Sequence, residues 1–499
     1  MFVQKAFVGY SSKIIIQMAQ MVATLIVARI VGPSVIGTLA YGLAFVSMFS
    51  FVADLGTGTA HIKLIASGES EEKCLGTYLR IKLFLILVFI ALVLSAFAYV
   101  KFFSGSSFES KEHEIVIIIY LLILLVGQLT GIFSTTWAAR TEQIKQDAPQ
   151  MFQTLLYQLL RIVLAIIGYK AIGLALGNLA AAIITIPLYF FLGKNIRFGK
   201  FDKTLFKKYI NISFPVVIIG ICQVIIFSAD KVYLQSQTNS FTLGNYSAAV
   251  GLAGFIKTIE GSVGLLLFPL FSNYVVNQNY DLINKSILKY ERITVGFILP
   301  VIATLSIFSK TVISIFYGNK FIEATPVFSI LIFSYFISML LLPYGNLLFG
   351  LGKFRETAWV WVISAVFFLL TAFSLVSHSM LNLKGPGMAA ALMLTNLVIF
   401  FSIIFVAKNK LKKELKIIPS IYLLIYSLVY FTGAALIFAA YQPSKVIYQI
   451  TCGIITYILF QLLAYKFKLI TKKDFELVKS IFNTKKLSDY LKSELKNHN

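Results

Sequence analysis

The stretch Ile14-Ile15-Ile16-Gln17-Met18-Ala19-Gln20-Met21-Val22-Ala23-Thr24-Leu25-Ile26-Val27-Ala28-Arg29 decides what kind of chain this is. It turns at Val31-Gly32-Pro33-Ser34, and a second apolar run follows, closed by Ala53-Asp54-Leu55-Gly56-Thr57-Gly58. Up to Ala28 the only polar members are Gln17, Gln20 and Thr24. With its flanks the run reaches the roughly 20 residues that ~30 Å of hydrocarbon requires. The whole reads as a helical hairpin in a membrane. An isolated charge in a spanning helix costs at least about 2.5–3.5 kcal/mol, so Arg29 and the glutamines are expected to face a protein interior or a wet cavity.

The composition agrees. Of 499 residues 58% are hydrophobic and 13% charged, which is the balance of a polytopic membrane protein and not of a soluble domain. The net charge of +23 does not mark a nucleic-acid surface, because the cations sit in short loops between apolar runs and not on a soluble domain. Cys74, Cys222 and Cys452 are far apart, with no CxxC, and indicate packing residues, neither a disulfide framework nor a metal site. The mildly basic start leads into structure without an A-x-A-like cleavage site, so no removable signal peptide is read.

Apolar runs broken by Pro, Gly and charge place six spans near 12–31, 36–56, 79–100, 114–136, 150–170 and 171–193. A basic connector with Lys194, Arg197, Lys200, Lys203, Lys207 and Lys208 follows. Six more spans fall near 210–230, 244–272, 290–309, 326–350, 357–378 and 386–407, and two last ones near 418–440 and 446–465. The expected fold is an all-α polytopic membrane protein with about 14 transmembrane helices. Its parts are a first six-helix lobe over 1–200, a second over 201–410, helices thirteen and fourteen over 411–466, and a basic cytoplasmic tail over 467–499. Lys and Arg concentrate in the even-numbered loops, which puts both termini, and Lys203, in the cytoplasm and Lys445 outside. Phe475, Val478, Ile481, Phe482, Leu491 and Leu495, spaced among lysines from Thr471 to Lys496, read as an amphipathic helix on the anionic inner leaflet.

The two sets of six echo one another. Val35-Ile36-Gly37-Thr38-Leu39-Ala40 is answered by Thr242-Leu243-Gly244-Asn245-Tyr246-Ser247, and Ala171-Ile172-Gly173-Leu174-Ala175 by Gly385-Pro386-Gly387-Met388-Ala389-Ala390. Even-numbered repeats share topology, so the halves are expected to be pseudo-symmetric about an axis along the membrane normal.

The pattern Ala28-Arg29-Ile30-Val31-Gly32-Pro33, Ile36-Gly37 and Ala53-Asp54-Leu55-Gly56 resembles the polysaccharide flippases of the Wzx type. So do Phe227-Ser228-Ala229-Asp230-Lys231, Leu243-Gly244-Asn245-Tyr246-Ser247-Ala248-Ala249, Phe316-Tyr317-Gly318-Asn319-Lys320-Phe321 and Leu348-Phe349-Gly350-Leu351-Gly352-Lys353. The similarity covers nearly the whole chain. It implies the multidrug and oligosaccharidyl-lipid exporter superfamily, with two six-helix lobes in a V around a central cavity and a last helix pair that helps to accommodate a lipid tail. It further implies an undecaprenyl-pyrophosphate-linked oligosaccharide as cargo, crossing the bacterial inner membrane for O-antigen, lipopolysaccharide, capsule or exopolysaccharide. Membrane lipids, a polysaccharide polymerase and chain-length proteins are the implied partners. An H+ or Na+ gradient is the implied energy source, with no cofactor.

A pyrophosphate in hydrocarbon needs cations, and Arg161 and Lys257 lie deepest in their expected spans, with Arg29 nearer a helix end. These three are the substrate-binding candidates. Each has a bland alternative: Arg29 snorkels or caps a helix, Arg161 hydrogen-bonds neighbouring carbonyls, and Lys257 pairs with Glu260 one turn on. Ion coupling needs an embedded carboxylate, for which Glu260, Asp54 and Asp230 are the candidates. Asp54 and Asp230, near span ends, read first as structural caps or loop contacts and only second as coupling carboxylates. A membrane glycosyltransferase or polymerase would show a DxD pair or a long loop, and an ATP-driven pump a GxxxxGK[ST] loop; the sequence has none of these. A cation-coupled drug antiporter of the same superfamily is the remaining alternative.

Overall fold

The computed structural model describes residues 2–103, 108–411, 415, 421–441 and 446–481. Among them there is no strand. In chain order the helices are α1 (Phe2–Val31), α2 (Pro33–Ser47), α3 (Thr57–Ala66), α4 (Glu71–Phe102), α5 (Lys111–Ala139), α6 (Gln143–Ile167) and α7 (Ala171–Leu192). Next come α8 (Lys203–Phe227), α9 (Ala229–Gln237), α10 (Ser240–Ala253), α11 (Phe255–Val276), α12 (Tyr280–Ile293), α13 (Leu299–Ile307) and α14 (Ser309–Tyr317). The last are α15 (Ala324–Gly350), α16 (Phe354–Val376), α17 (Lys384–Leu411), α18 (Ile421–Tyr441), α19 (Val446–Lys466) and α20 (Lys472–Ile481). Among the described residues eleven helices are long and apolar enough to span a membrane, and Ile16–Val31 and Pro33–Ser47 are shorter apolar helices. Large apolar side chains such as Phe84, Leu87 and Phe190 stand more than 60% exposed, as a lipid-facing surface requires.

Each expected span overlaps a described helix, but the ends differ in two instructive ways. Where the expected span starts at 79, α4 starts at Glu71, because a helix continues into water when its first turn carries acids that complement the macrodipole. The expected 36–56 span stops early. α2 ends at Ser47, turns follow, and Gly56 takes φ 73° ahead of α3, a left-handed conformation that costs glycine little. Lys445 and the tail beyond Ile481, with Phe482, Leu491 and Leu495, lie outside the described residues.

The chain forms two compact units, Phe2–Ala248 with Trp361–Met388, and Ala249–Val360 with the described part of Ala389–Asn499. In the first, α1 packs on α6, α6 on α7, and α5 on α2 and α7. The glycines of the two echoing motifs meet. A Cβ on Gly37 would lie 1.9 Å from the Ser240 carbonyl oxygen, and one on Gly244 would lie 1.8 Å from that of Pro33. Only hydrogen fits at either position.

One end of this unit is closed by an aromatic core of Tyr78, Trp137, Tyr189 and Tyr209 around His61, whose ring stacks on Tyr78 with centroids 4.2 Å apart. The basic connector is fastened beside it. Gly199 N–H donates to the Glu72 carbonyl at 2.8 Å, Asp202 N–H donates to Thr77 Oγ1 at 3.0 Å, and the Asp202 carboxylate accepts from the first-turn amides Thr204 and Leu205 of α8. Ion pairs Arg140–Glu71 and Lys208–Glu69 flank it.

In the second unit α15 runs between α11 and α13. α12 and α13 are joined by a π-helical turn, Thr294–Ile298, where Gln461 of α19 donates to the Gly296 carbonyl at 2.8 Å. α20 is held against α12 by Arg292, which donates to Asp474 at 2.7 Å and to the Leu469 carbonyl at 3.1 Å, and by Phe475 edge-on to Phe297.

Candidate functional site

The structure distributes the embedded charges, and each has a different surrounding. Arg161 sits on α6 facing α1, and Nη1 donates to Thr24 Oγ1 at 3.1 Å and to Gln158 Oε1 at 3.3 Å. Its guanidinium lies 5.9 Å from the Tyr157 ring centroid. Nε is buried without a hydrogen-bond partner among the described residues. Two neutral acceptors hold this cation, and a third donor is left over. Such an arrangement retains capacity for an anion, since charge-assisted bonds to phosphate oxygens are about twice as strong as neutral ones. The sequence pointed to Thr24 as a polar interruption in α1; Gln158, three residues before Arg161, was the signal left unread.

Lys257, on α11 in the second unit, places its ammonium 4.7 Å from the Tyr335 ring centroid of α15. One turn on, Glu260 accepts from the Ser338 hydroxyl, 3.0 and 3.1 Å from its two carboxylate oxygens. Both α11 charges thus engage α15. Arg29 is exposed in the last turn of α1, where a cation complements the helix dipole.

The two aspartates are each tied to a lysine. Asp54 Oδ1 accepts from Lys82 Nζ at 2.8 Å and from the Gly58 N–H at 3.3 Å, in the first turn of α3. Lys82 also donates to the Ala53 carbonyl at 2.9 Å and is 3% exposed, so it is a fully embedded cation inside the expected 79–100 span. Sequence reasoning missed it because it lies two residues after Arg80 near the span's end, where a cation reads as loop charge. Asp230, 2% exposed at the start of α9, accepts from Tyr246 OH at 2.7 Å and from Lys231 at 3.1 and 3.2 Å.

Two more polar clusters, one on the buried Glu291 and one joining the exposed Glu109 to the buried His113, carried no signal in the one-dimensional pattern. Glu291, 1% exposed on α12, accepts from Tyr344 OH at 2.6 Å, beside Tyr290, which donates to the Met339 carbonyl at 2.8 Å. In the first unit Glu109 accepts from the N–H and hydroxyl of Ser240 and from Gln235, and His113 Nε2 lies 2.8 Å from the same hydroxyl. Among the described residues no group of three or more metal-ligating side chains converges.

Residues 2–275 match the model of a family described as polysaccharide biosynthesis protein. No curated protein matches the sequence significantly. Among solved structures the fold is similar to "Lipid II flippase MurJ, inward closed conformation", with a TM-score of 0.70 at 14% identity over 93% of this chain and 100% of that one. It is also similar to an inward-facing multidrug resistance transporter of the MATE family, MOP superfamily, with a TM-score of 0.63 at 14% identity over 80% of this chain and 96% of that one.

Proposed function

The chain belongs to the polysaccharide biosynthesis protein family, and on that premise we propose that it flips an undecaprenyl-pyrophosphate-linked oligosaccharide across the bacterial inner membrane for assembly of a surface polysaccharide. Arg161 carries this reading. A cation about eighteen residues into a spanning helix, held by two neutral acceptors and with a buried donor unused, is suited to one oxygen-rich anion that arrives and leaves. Lys257, whose ammonium rests on the Tyr335 ring, is the phosphate-binding candidate within the second unit. Arg29 receives the headgroup at the membrane boundary. Transport is by alternating access driven by an H+ or Na+ gradient, with Glu260 as the coupling carboxylate and Asp54 and Asp230 as positions that hold local structure through their lysines.

The test is export of surface polysaccharide in cells that depend on this protein, with membrane insertion checked in parallel. Arg161→Ala removes charge-assisted contacts worth about 1.5–3 kcal/mol and is expected to depress export about ten- to a hundredfold. Arg161→Lys and Lys257→Arg are expected to retain more activity than the Ala variants. If Lys257 serves only to neutralise Glu260, the double change Lys257→Gln with Glu260→Gln restores export and removes Lys257 from the site. Full export by Arg161→Ala, or efflux of cationic drugs with no effect on polysaccharide, refutes the assignment.

A further inference from the structure

A cavity of about 500 Å³ opens in the first unit between α4 and α8, and none of the embedded charges above belongs to it. Its walls are Ile81, Phe84 and Leu85 of α4 and Ile210 and Val217 of α8, residues that recur at helical spacing and so share one stripe on each helix. From Phe206 to Val217 the lining runs eleven residues along α8, which is ~16 Å at 1.5 Å per residue. The rim is apolar and exposed, with Phe84 at 65% and Ile210 at 50% exposure, so the opening faces hydrocarbon and not water.

One charged residue breaks this apolar lining. Arg80 stands at one end, exposed, 5.8 Å from the Phe201 ring centroid, and pairs with no carboxylate among the described residues. Phe201 belongs to the connector, between Lys200 and Lys203, so further cations stand close by in sequence.

We propose that the cavity is a binding site for an anionic phospholipid, with one acyl chain along α4 and α8 and the phosphate on the Arg80 guanidinium. The charge sets the headgroup class: a guanidinium at the mouth of an apolar slot complements phosphate, and a zwitterionic lipid brings a cation into the same space. The elongated shape and the hydrocarbon-facing rim set the occupant as a lipid and not a water-soluble anion.

Native mass spectrometry of the purified full-length protein, delipidated and then titrated with phosphatidylglycerol or phosphatidylcholine of identical chains, tests the site. Wild type is expected to retain one equivalent of phosphatidylglycerol with clear preference over phosphatidylcholine. Arg80→Ala, a surface change that leaves the fold intact, is expected to weaken that retention about ten- to a hundredfold, with the thermal midpoint of the lipid-free protein unchanged. Equal retention by wild type and Arg80→Ala, or equal affinity of wild type for both headgroups, overturns the proposal.

Discussion

Replacing Asp54 with Asn is expected to cost far more stability than replacing its partner Lys82 with Met, although both break one ion pair. The asymmetry follows from exposure. The Lys82 side chain is 4% exposed and that of Asp54 is 45% exposed. Removing one partner of a buried pair costs about 3–5 kcal/mol because the other charge is left desolvated. In Asp54→Asn the stranded charge is the dry ammonium, which keeps only the Ala53 carbonyl at 2.9 Å and a neutral amide oxygen, so a loss of about 2–3 kcal/mol is expected. In Lys82→Met the stranded carboxylate reaches water and keeps the Gly58 N–H, so the loss falls toward the range of about 0–1 kcal/mol found for exposed pairs. The double variant is expected to recover much of the Asp54→Asn loss, since no charge is then stranded. The assay is a thermal melt followed by a thiol-reactive dye in a variant that keeps only Cys74, which is 0% exposed and becomes labelled as this unit opens. A Lys82→Met melt as low as that of Asp54→Asn, or a double variant whose loss equals the sum of the two, would refute the reasoning.

His61 predicts an acid-labile first unit. It lies on α3, which is not among the spanning helices, and burial lowers its pKa to about 3 from an unfolded value near 6.5. Below pH 6.5 the unfolded chain binds a proton that the folded chain refuses, so stability falls as pH drops, by about 1.4 kcal/mol at pH 5.5 and progressively more toward pH 3. Melting curves of wild type and His61→Gln over that range are expected to differ in slope, and parallel curves would refute it. Gly37→Ala and Gly244→Ala each place a methyl within 2 Å of a backbone carbonyl. Each is expected to lower the yield of folded protein sharply, and ordinary expression with a wild-type melt would show that the two helices part at no cost.

The helices were legible because a spanning segment must satisfy its backbone internally, and a long apolar run has one way to do so. The breaks inside them were less so. Gly254 divides α10 from α11, and Ser228, at φ −126° and ψ −39°, divides α8 from α9, within what reads as single apolar runs, because so local a break changes nothing in hydropathy. Arg161 was found because a charge within the apolar run Leu159–Tyr169 is conspicuous. Lys82 and Glu291 were not, since each lies near a span end where charge is ordinary, and their burial is decided by the turn at Ala53 and by Tyr344, distant in sequence. Gly37 and Gly244 were visible as an echo, but not as a contact.

The π-helical turn Thr294–Ile298 acts on everything that follows it as a change of phase. An α-helix advances about 100° per residue, so one residue taken up in a wider ring rotates the rest of the rod by that angle. Tyr290 and Glu291 before the turn and Ile302 and Ala303 after it are all buried, at 9%, 1%, 1% and 2% exposure. Eleven positions separate Glu291 from Ile302, about 1100° or three turns and ~20° in a regular α-helix, so the wide turn sets Ile302 about a quarter-turn away from the face of Glu291 although both are buried. Deleting a single residue between Thr294 and Ile298 would leave composition and hydropathy almost untouched, yet it would swing Ile302 and Ala303 a quarter-turn off their present face. The Gln461 amide, by occupying the Gly296 carbonyl, keeps the two halves of this rod from sliding back into step.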